Sequence, residues 1–336
     1  MHASYSQHIS FSVVSFDLHH DSQLNASSEH KSSVNMRELE SPRMSAAAVM
    51  LTLLTCVLWA GNAVAAKYSV DTIPPITVSG IRFSMAVVVM FIWCRFEKCS
   101  LSISREQLPL IIIGGLLLFS QIALFTIGVA ESNSSHTSLL INTFIFWVVL
   151  SDHYVSRIHR LSASRLIGIG LAAGGAILVI LTKPESAGKT PSVDEATMLG
   201  DILLMASGFV LAVKILFTKY ALNKMETGSF MAWHELVGVV FFFIVAALTE
   251  DVNPDQFTTP AVLGLVYQGV LVAGACFAIQ AVLLKTYAAS QISMFSFLTP
   301  VFGIAFTAMF RNDEMSSWLF VSLAMIASGL FFTNRD

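Results

Sequence analysis

Charge is scarce in this sequence. Only 12% of its 336 residues are Asp, Glu, Lys or Arg, against about 25% in soluble domains. So few charges cannot cover a water-facing surface, which leaves lipid as the solvent for much of the chain. The net charge of −3 offers no basis for binding nucleic acid. The four cysteines (Cys56, Cys94, Cys99 and Cys276) form neither a C-x-x-C pair nor a zinc spacing, so they read as small core hydrophobes rather than a disulfide framework. There is no Walker motif and no loop long enough for an ATP-binding domain, which excludes ATP as the direct energy source. The His-Glu pair at 234–235 lacks the second histidine of a zinc-protease helix. No metal or cofactor is implied.

What the sequence does have is apolar length. Hydrophobic residues make up 55% of the chain, and mean hydropathy is +0.71. From residue 46 onward ten apolar segments follow one another, near 46–65, 76–94, 108–128, 134–152, 165–182, 198–218, 229–248, 260–283, 290–310 and 316–333. Each approaches the about 20 residues that cross a hydrocarbon core, and in lipid an open structure with a satisfied backbone is a helix. The breaks carry turn residues, as in "DTIPP" and "TEDVNPDQ". The fourth segment is the most polar, rich in Ser, Thr and Asn. Residues 1–45 differ from the rest: they are serine-rich and hold five of the nine histidines. They read as a disordered tail, with Met36 as an alternative start.

Lysine and arginine give an orientation. With the N-terminus inside, thirteen fall on inner loops and the tail and four on outer loops, leaving Arg82 and Lys214 within the membrane. That bias puts both termini in the cytoplasm. A gapless shift of 152 residues places Lys67-Tyr68 on Lys219-Tyr220, Asn62 on Lys214, and Arg82 on His234. A shift of 154 aligns the last segment with the fifth. Five helices per half make the halves inverted, an arrangement of secondary transporters with a site near the midplane. The expected architecture is therefore an all-α integral membrane protein of ten transmembrane helices as two inverted five-helix repeats. The first repeat spans 46–182, a connecting loop 183–197, and the second repeat 198–334.

Several polar residues need a reason to be in lipid. Arg82 lies about six residues inside the second segment, or about 9 Å deep. It shares a face with Ser79 and Ala86, so it reads either as a cavity charge attracting an anionic group or as a snorkelling anchor. Lys214 sits mid-segment, which favours an interior partner or a place in the substrate cavity. Trp59 and Asn62, with His136 and Asn142 of the polar fourth segment, suit a substrate path, and Gln121 and Gln280 are weaker candidates of that kind. Trp59 also fits as a packing aromatic, and Ser and Thr also serve as helix glue. His234 and Glu235 read as a proton-coupling pair or as markers of a helix end. Gly170 and Gly174 form a G-x-x-x-G that suits close packing within one chain or a homodimer face. Pro300 should kink the ninth segment, as a moving gate or a static bend.

Three stretches together resemble the drug/metabolite transporter superfamily, of the EamA type. They are "LWAGNAVAAKYSVDTIPPITVSGIRFSMA" (58–86), "FSFLTPVFGIAFTAMFRNDEMSS" (295–317) and "RLIGIGLAAGGAILVI" (165–180). The second is similar to the family's proline in helix 9 followed by a glutamate, here Pro300 and Glu314. The first repeat departs from that pattern: its fourth segment has no proline, and Arg160 stands where a glutamate is usual. The resemblance implies a secondary transporter exporting a small metabolite, amino-acid-like compound or drug from the inner (plasma) membrane, with protons as a candidate coupling ion. Helices 1–4 and 6–9 would line the cavity, with 5 and 10 as scaffold. The rival readings are a nucleotide-sugar or sugar-phosphate exchanger, an intramembrane enzyme and a receptor. The exchanger would want more than two embedded cations. The enzyme would need convergent nucleophile and base spacing, and the receptor a folded domain outside the membrane.

Overall fold

The computed structural model describes residues 44–151, 163–181, 196–311 and 316–333. The tail with Met36, Arg160 and Glu314 lie outside the described residues, as does nearly all of the connecting loop. Thirteen α-helical pieces occur there, and no strand is found among the described residues. The first repeat holds α1 (Ala46–Val70), α2 (Pro75–Phe96), α3 (Leu108–Ala130), α4 (Ser134–Leu140), α5 (Phe144–Ser151) and α6 (Ala163–Leu181). The second holds α7 (Met198–Leu222), α8 (Thr227–Thr249), α9 (Thr259–Val266), α10 (Phe277–Thr286), α11 (Ala289–Ser293), α12 (Leu298–Phe310) and α13 (Ser317–Thr333). Seven helical stretches among the described residues are long and apolar enough to cross a membrane. α6 and α13 are shorter apolar helices, and α4 with α5 makes an interrupted span. The architecture is that of a ten-helix, two-repeat membrane protein.

Helix ends follow the local chemistry. Ser45 caps α1 by accepting from the Ala48 amide at 3.2 Å, and Asn133 caps α4 by accepting from the His136 amide at 2.8 Å. α2 opens on the second proline of a Pro-Pro pair and takes its cap from a residue distant in sequence. The Glu250 carboxylate accepts from the Ile76 and Thr77 amides at 2.8 and 2.7 Å, a negative charge where the helix dipole is positive.

Packing pairs helices across the repeats. α2 lies on α8, α3 on α7, α1 on α12, and α6 on α13. Phe83, Phe242 and Phe277 make one aromatic cluster, with Phe83 stacked on Phe242 at 5.8 Å. The α6–α13 contact needs glycine: a Cβ at Gly329 would lie 2.5 Å from Ala172 Cβ, and one at Gly175 would lie 2.8 Å from Ile326 Cγ1. Gly170 has open space around it, and Gly174 faces Met325. The close approach within the chain is thus made by Gly175 and Gly329 rather than by Gly170. Large apolar side chains such as Met50, Val88, Ile92, Ile244 and Leu248 point outward, as a lipid-facing surface requires.

Candidate functional site

Among the described residues three of the spans are irregular, and each irregular stretch supplies a residue to one cavity. The fourth span breaks into a 3-10 turn at Ile141–Thr143 between α4 and α5. The ninth breaks at Met294–Phe297 between α11 and α12. A shift of 154 residues superposes these two breaks. Pro300 follows the second break as the third residue of α12, and the first break has no proline. In the fourth span, side chains compete for the backbone instead. Asn142 Nδ2 donates to Ser138 O at 2.7 Å, and Thr143 Oγ1 to Leu140 O at 2.7 Å.

The third irregularity is a π-helical stretch, Tyr267–Cys276, between α9 and α10. Wide turns of this type occur often at functional sites. This one presents the fully buried Gln268, whose Oε1 accepts from Arg82 Nη1 at 3.0 Å. Gln268 Nε2 in turn donates to Ser69 Oγ at 2.9 Å and Ala65 O at 3.2 Å. Arg82 is 1% exposed, so it does not snorkel. Its guanidinium lies 5.0 Å from the Phe83 ring and 5.9 Å from the Phe125 ring, within cation–π range.

These elements surround a cavity of about 100 Å³. Trp59, Asn62, Arg82, Asn142 and Gln280 line it, with Phe125, Phe144 and Phe277 as apolar wall. Three lining side chains each carry a buried polar atom with no hydrogen-bond partner among the described residues: Asn62 Oδ1, Arg82 Nε and Thr137 Oγ1. They come from the first, second and fourth spans. Natively folded interiors pair nearly all such groups.

Lys214 lies beside this cavity rather than in it. It lines a smaller space of about 20 Å³ with His234, and Gln280 borders both. Lys214 Nζ donates to Gln121 Oε1 at 3.3 Å and sits 4.4 Å from the Phe277 ring centre. His234 stacks on Phe230, with Nδ1 2.9 Å from Phe230 O. Glu235 is fully buried, neither carboxylate oxygen has a hydrogen-bond partner among the described residues, and Lys214 and Arg82 are its electrostatic neighbours. Both residues lie in the bundle rather than at a helix end facing water. His136 faces away from the cavity: its Nδ1 meets Asp201 Oδ2 at 2.9 Å, and Ser132 Oγ donates to Asp201 Oδ1 at 2.8 Å. Sequence reasoning missed Gln268, Asp201, Thr137 and Thr299. Of these, Asp201 alone carried a signal, a carboxylate just inside an apolar segment.

The repeat-related lysines do equivalent work at opposite ends of the bundle. Lys67 Nζ, on α1, donates to Ala130 O at 3.4 Å and Val129 O at 3.5 Å, the last carbonyls of α3. Lys219 Nζ, on α7, donates to Tyr287 O at 2.7 Å, just past α10. Each joins the first helix of its repeat to the end of the third, where the dipole is negative. The Lys67 end is further knitted. Asp71 meets Lys67 at 3.5 Å and Arg311 at 2.7 Å, and Tyr68 OH donates to Phe310 O.

A polytopic helical bundle with repeat-related breaks around a buried polar cavity belongs to the class of membrane transporters. The sequence matches the EamA-like transporter family twice, over residues 46–181 and 198–335, and the chain belongs to that family. An uncharacterized transporter of Bacillus subtilis, YoaV, is 25% identical over 285 residues, covering 84% of this chain and 95% of the relative. A "probable amino-acid metabolite efflux pump" of Escherichia coli is 23% identical over 297 residues, covering 84% and 93%. A crystal structure matches with a TM-score of 0.66 at 18% identity, covering 86% of this chain and 98% of the other, a likeness of fold. The chain is a multi-pass membrane transporter of a small-molecule substrate, not an enzyme.

Proposed function

We propose that this transporter exports a small metabolite, amino-acid-like compound or drug by alternating access. Arg82 receives an anionic group of the substrate, and Trp59, Asn62, Asn142 and Gln280 bound the site. One observation carries this reading: three unpartnered polar atoms on three different spans, all on side chains lining one cavity. A bound molecule offering acceptors to Arg82 Nε and the Thr137 hydroxyl, and a donor to Asn62, would satisfy them together. The aromatic wall suits an apolar body. The two repeats, 46–182 and 198–334, rock about this cavity, with the broken fourth and ninth spans as bending points beside Pro300. Lys67 and its ion pairs close the outer end, and Lys219 the inner end. The protein resides in the plasma (inner) membrane with both termini cytoplasmic, consistent with thirteen of its basic residues on that side. His234, Glu235 and Lys214 form a buried titratable group suited to proton coupling.

The test is the small-molecule content of spent medium from cells carrying the wild-type chain or Arg82→Ala at equal membrane level. Wild type is expected to enrich particular compounds at least tenfold over the variant. Equal enrichment by both would remove Arg82 from the site, and no enrichment by either would sink export itself.

A further inference from the structure

Cys94 and Cys99 drew no reading from sequence beyond small core hydrophobes, because four residues lie between them and they form no pairing motif. The turn that ends α2 changes this. The Cys99 amide donates to the Cys94 carbonyl at 3.0 Å, and Lys98 between them has φ 54°. A bond from the residue past the turn back to the helix's last turn, closed through one left-handed residue, is a Schellman motif. Glycine usually fills the left-handed position, so Lys98 holds it against its own Cβ. The motif normally brings an apolar side chain past the turn onto one in the last helical turn. Here those two side chains are the thiols, and the Cys94 thiol donates to the Cys99 carbonyl at 3.9 Å. Both flank one point: a Cβ built on Gly228 would lie 2.7 Å from Cys99 Sγ and 3.5 Å from Cys94 Sγ.

The two thiols differ in access. Cys94 is buried, whereas Cys99 is only partly so, and both are free. The following residues are docked on α8: the Ser100 amide donates to Glu226 Oε2 at 2.6 Å, and Trp233 Nε1 to Leu101 O at 3.2 Å. The pair thus sits where the Arg82-bearing helix meets the helix carrying His234 and Glu235. A backbone bond between the two residues keeps their Cα atoms close, and a disulfide needs about 4.4–6.8 Å between them.

We propose that Cys94 and Cys99 are a reversible dithiol modification site, oxidised by hydrogen peroxide to an intrahelix-end disulfide. The Cys99 thiolate attacks one peroxide oxygen; the O–O bond breaks, giving Cys99 sulfenic acid and, after protonation of the leaving hydroxide, one water. The Cys94 sulfur, losing its proton, then attacks the Cys99 sulfur; an S–S bond forms, and hydroxide leaves to take up that proton as a second water. Two thiols supply two electrons, and one peroxide becomes two waters. Cys56 and Cys276, 1% and 0% exposed, are internal controls.

The full chain in native membranes is treated with hydrogen peroxide, denatured with N-ethylmaleimide and digested with trypsin. Cleavage after Arg95 and Lys98 separates peptides 83–95 and 99–105, so only a disulfide keeps them together. The linked species is expected to rise at least tenfold over untreated membranes and to vanish with dithiothreitol, while Cys56 and Cys276 stay alkylated. In Cys94→Ala, peroxide is expected to leave Cys99 as a sulfenic acid trapped by dimedone. Absence of the linked peptides in the wild type, or Cys99 without sulfenic acid in the variant, overturns the proposal and leaves the pair as packing of the turn.

Discussion

The two ends of the bundle are built from the same sequence element and are held differently. Lys67 and Lys219 occupy equivalent positions and each donates to the end of its repeat's third span. Around them the symmetry fails. Asp71 pairs with Lys67 and Arg311, but its repeat mate is the neutral Asn223. Tyr68 reaches across to Phe310, whereas Tyr220 is 49% exposed and takes a bond from Lys224 at 2.6 Å. On the proposed alternating-access reading these two ends are latches, and a difference in their strength would set which way the cavity rests.

Three substitutions bear on that comparison. Lys67→Met removes the largest set of contacts. Bonds to a charged donor are worth about 1.5–3 kcal/mol each, so the cavity is expected to open at that end, with a roughly ten- to hundredfold shift in population. A cysteine placed at Thr137 should then react correspondingly faster with a maleimide supplied from that side. Lys219→Met should slow the same reaction, through the opposite latch; a shift in the same direction for both variants would end the latch reading. Asp71→Asn copies the opposite end of the repeat. Asp71 is partly exposed, so its ion pairs are worth about 1 kcal/mol or less, and the expected change is a few-fold in the direction of Lys67→Met.

The smallest effect is expected from Pro300→Ala. The fourth span breaks at the equivalent place without a proline, so the ninth should keep its break, with transport rate changed by less than about threefold. Asn142→Leu should do more, because it removes the amide that takes the Ser138 carbonyl. A larger loss from Pro300→Ala than from Asn142→Leu would return the bend to proline.

Much of this was legible beforehand, and the remainder was hidden for identifiable reasons. Arg82 was visible because a cation in an apolar run has few explanations, and the Lys-Tyr pairs because inverted repeats keep sequence register. Gln268 was not, since a π stretch turns side chains away from the α-helical face that spacing predicts. His136 read as a cavity residue because its span is polar, but its partner Asp201 lies 65 residues away on another helix. Lys214 was placed in the cavity on depth alone, yet it opens onto a neighbouring space bounded by Phe277 and Gln280.

Composition and periodicity by themselves determined that the chain is helical, spans a membrane and is built twice over. Those properties follow from one rule, that lipid forbids unsatisfied backbone and uncompensated charge. Which polar side chains meet, and what each of the two repeat-related lysines holds, was decided only by the tertiary structure. A hydrogen bond depends on distances of a few tenths of an ångström between helices far apart in sequence, and no local pattern carries that information.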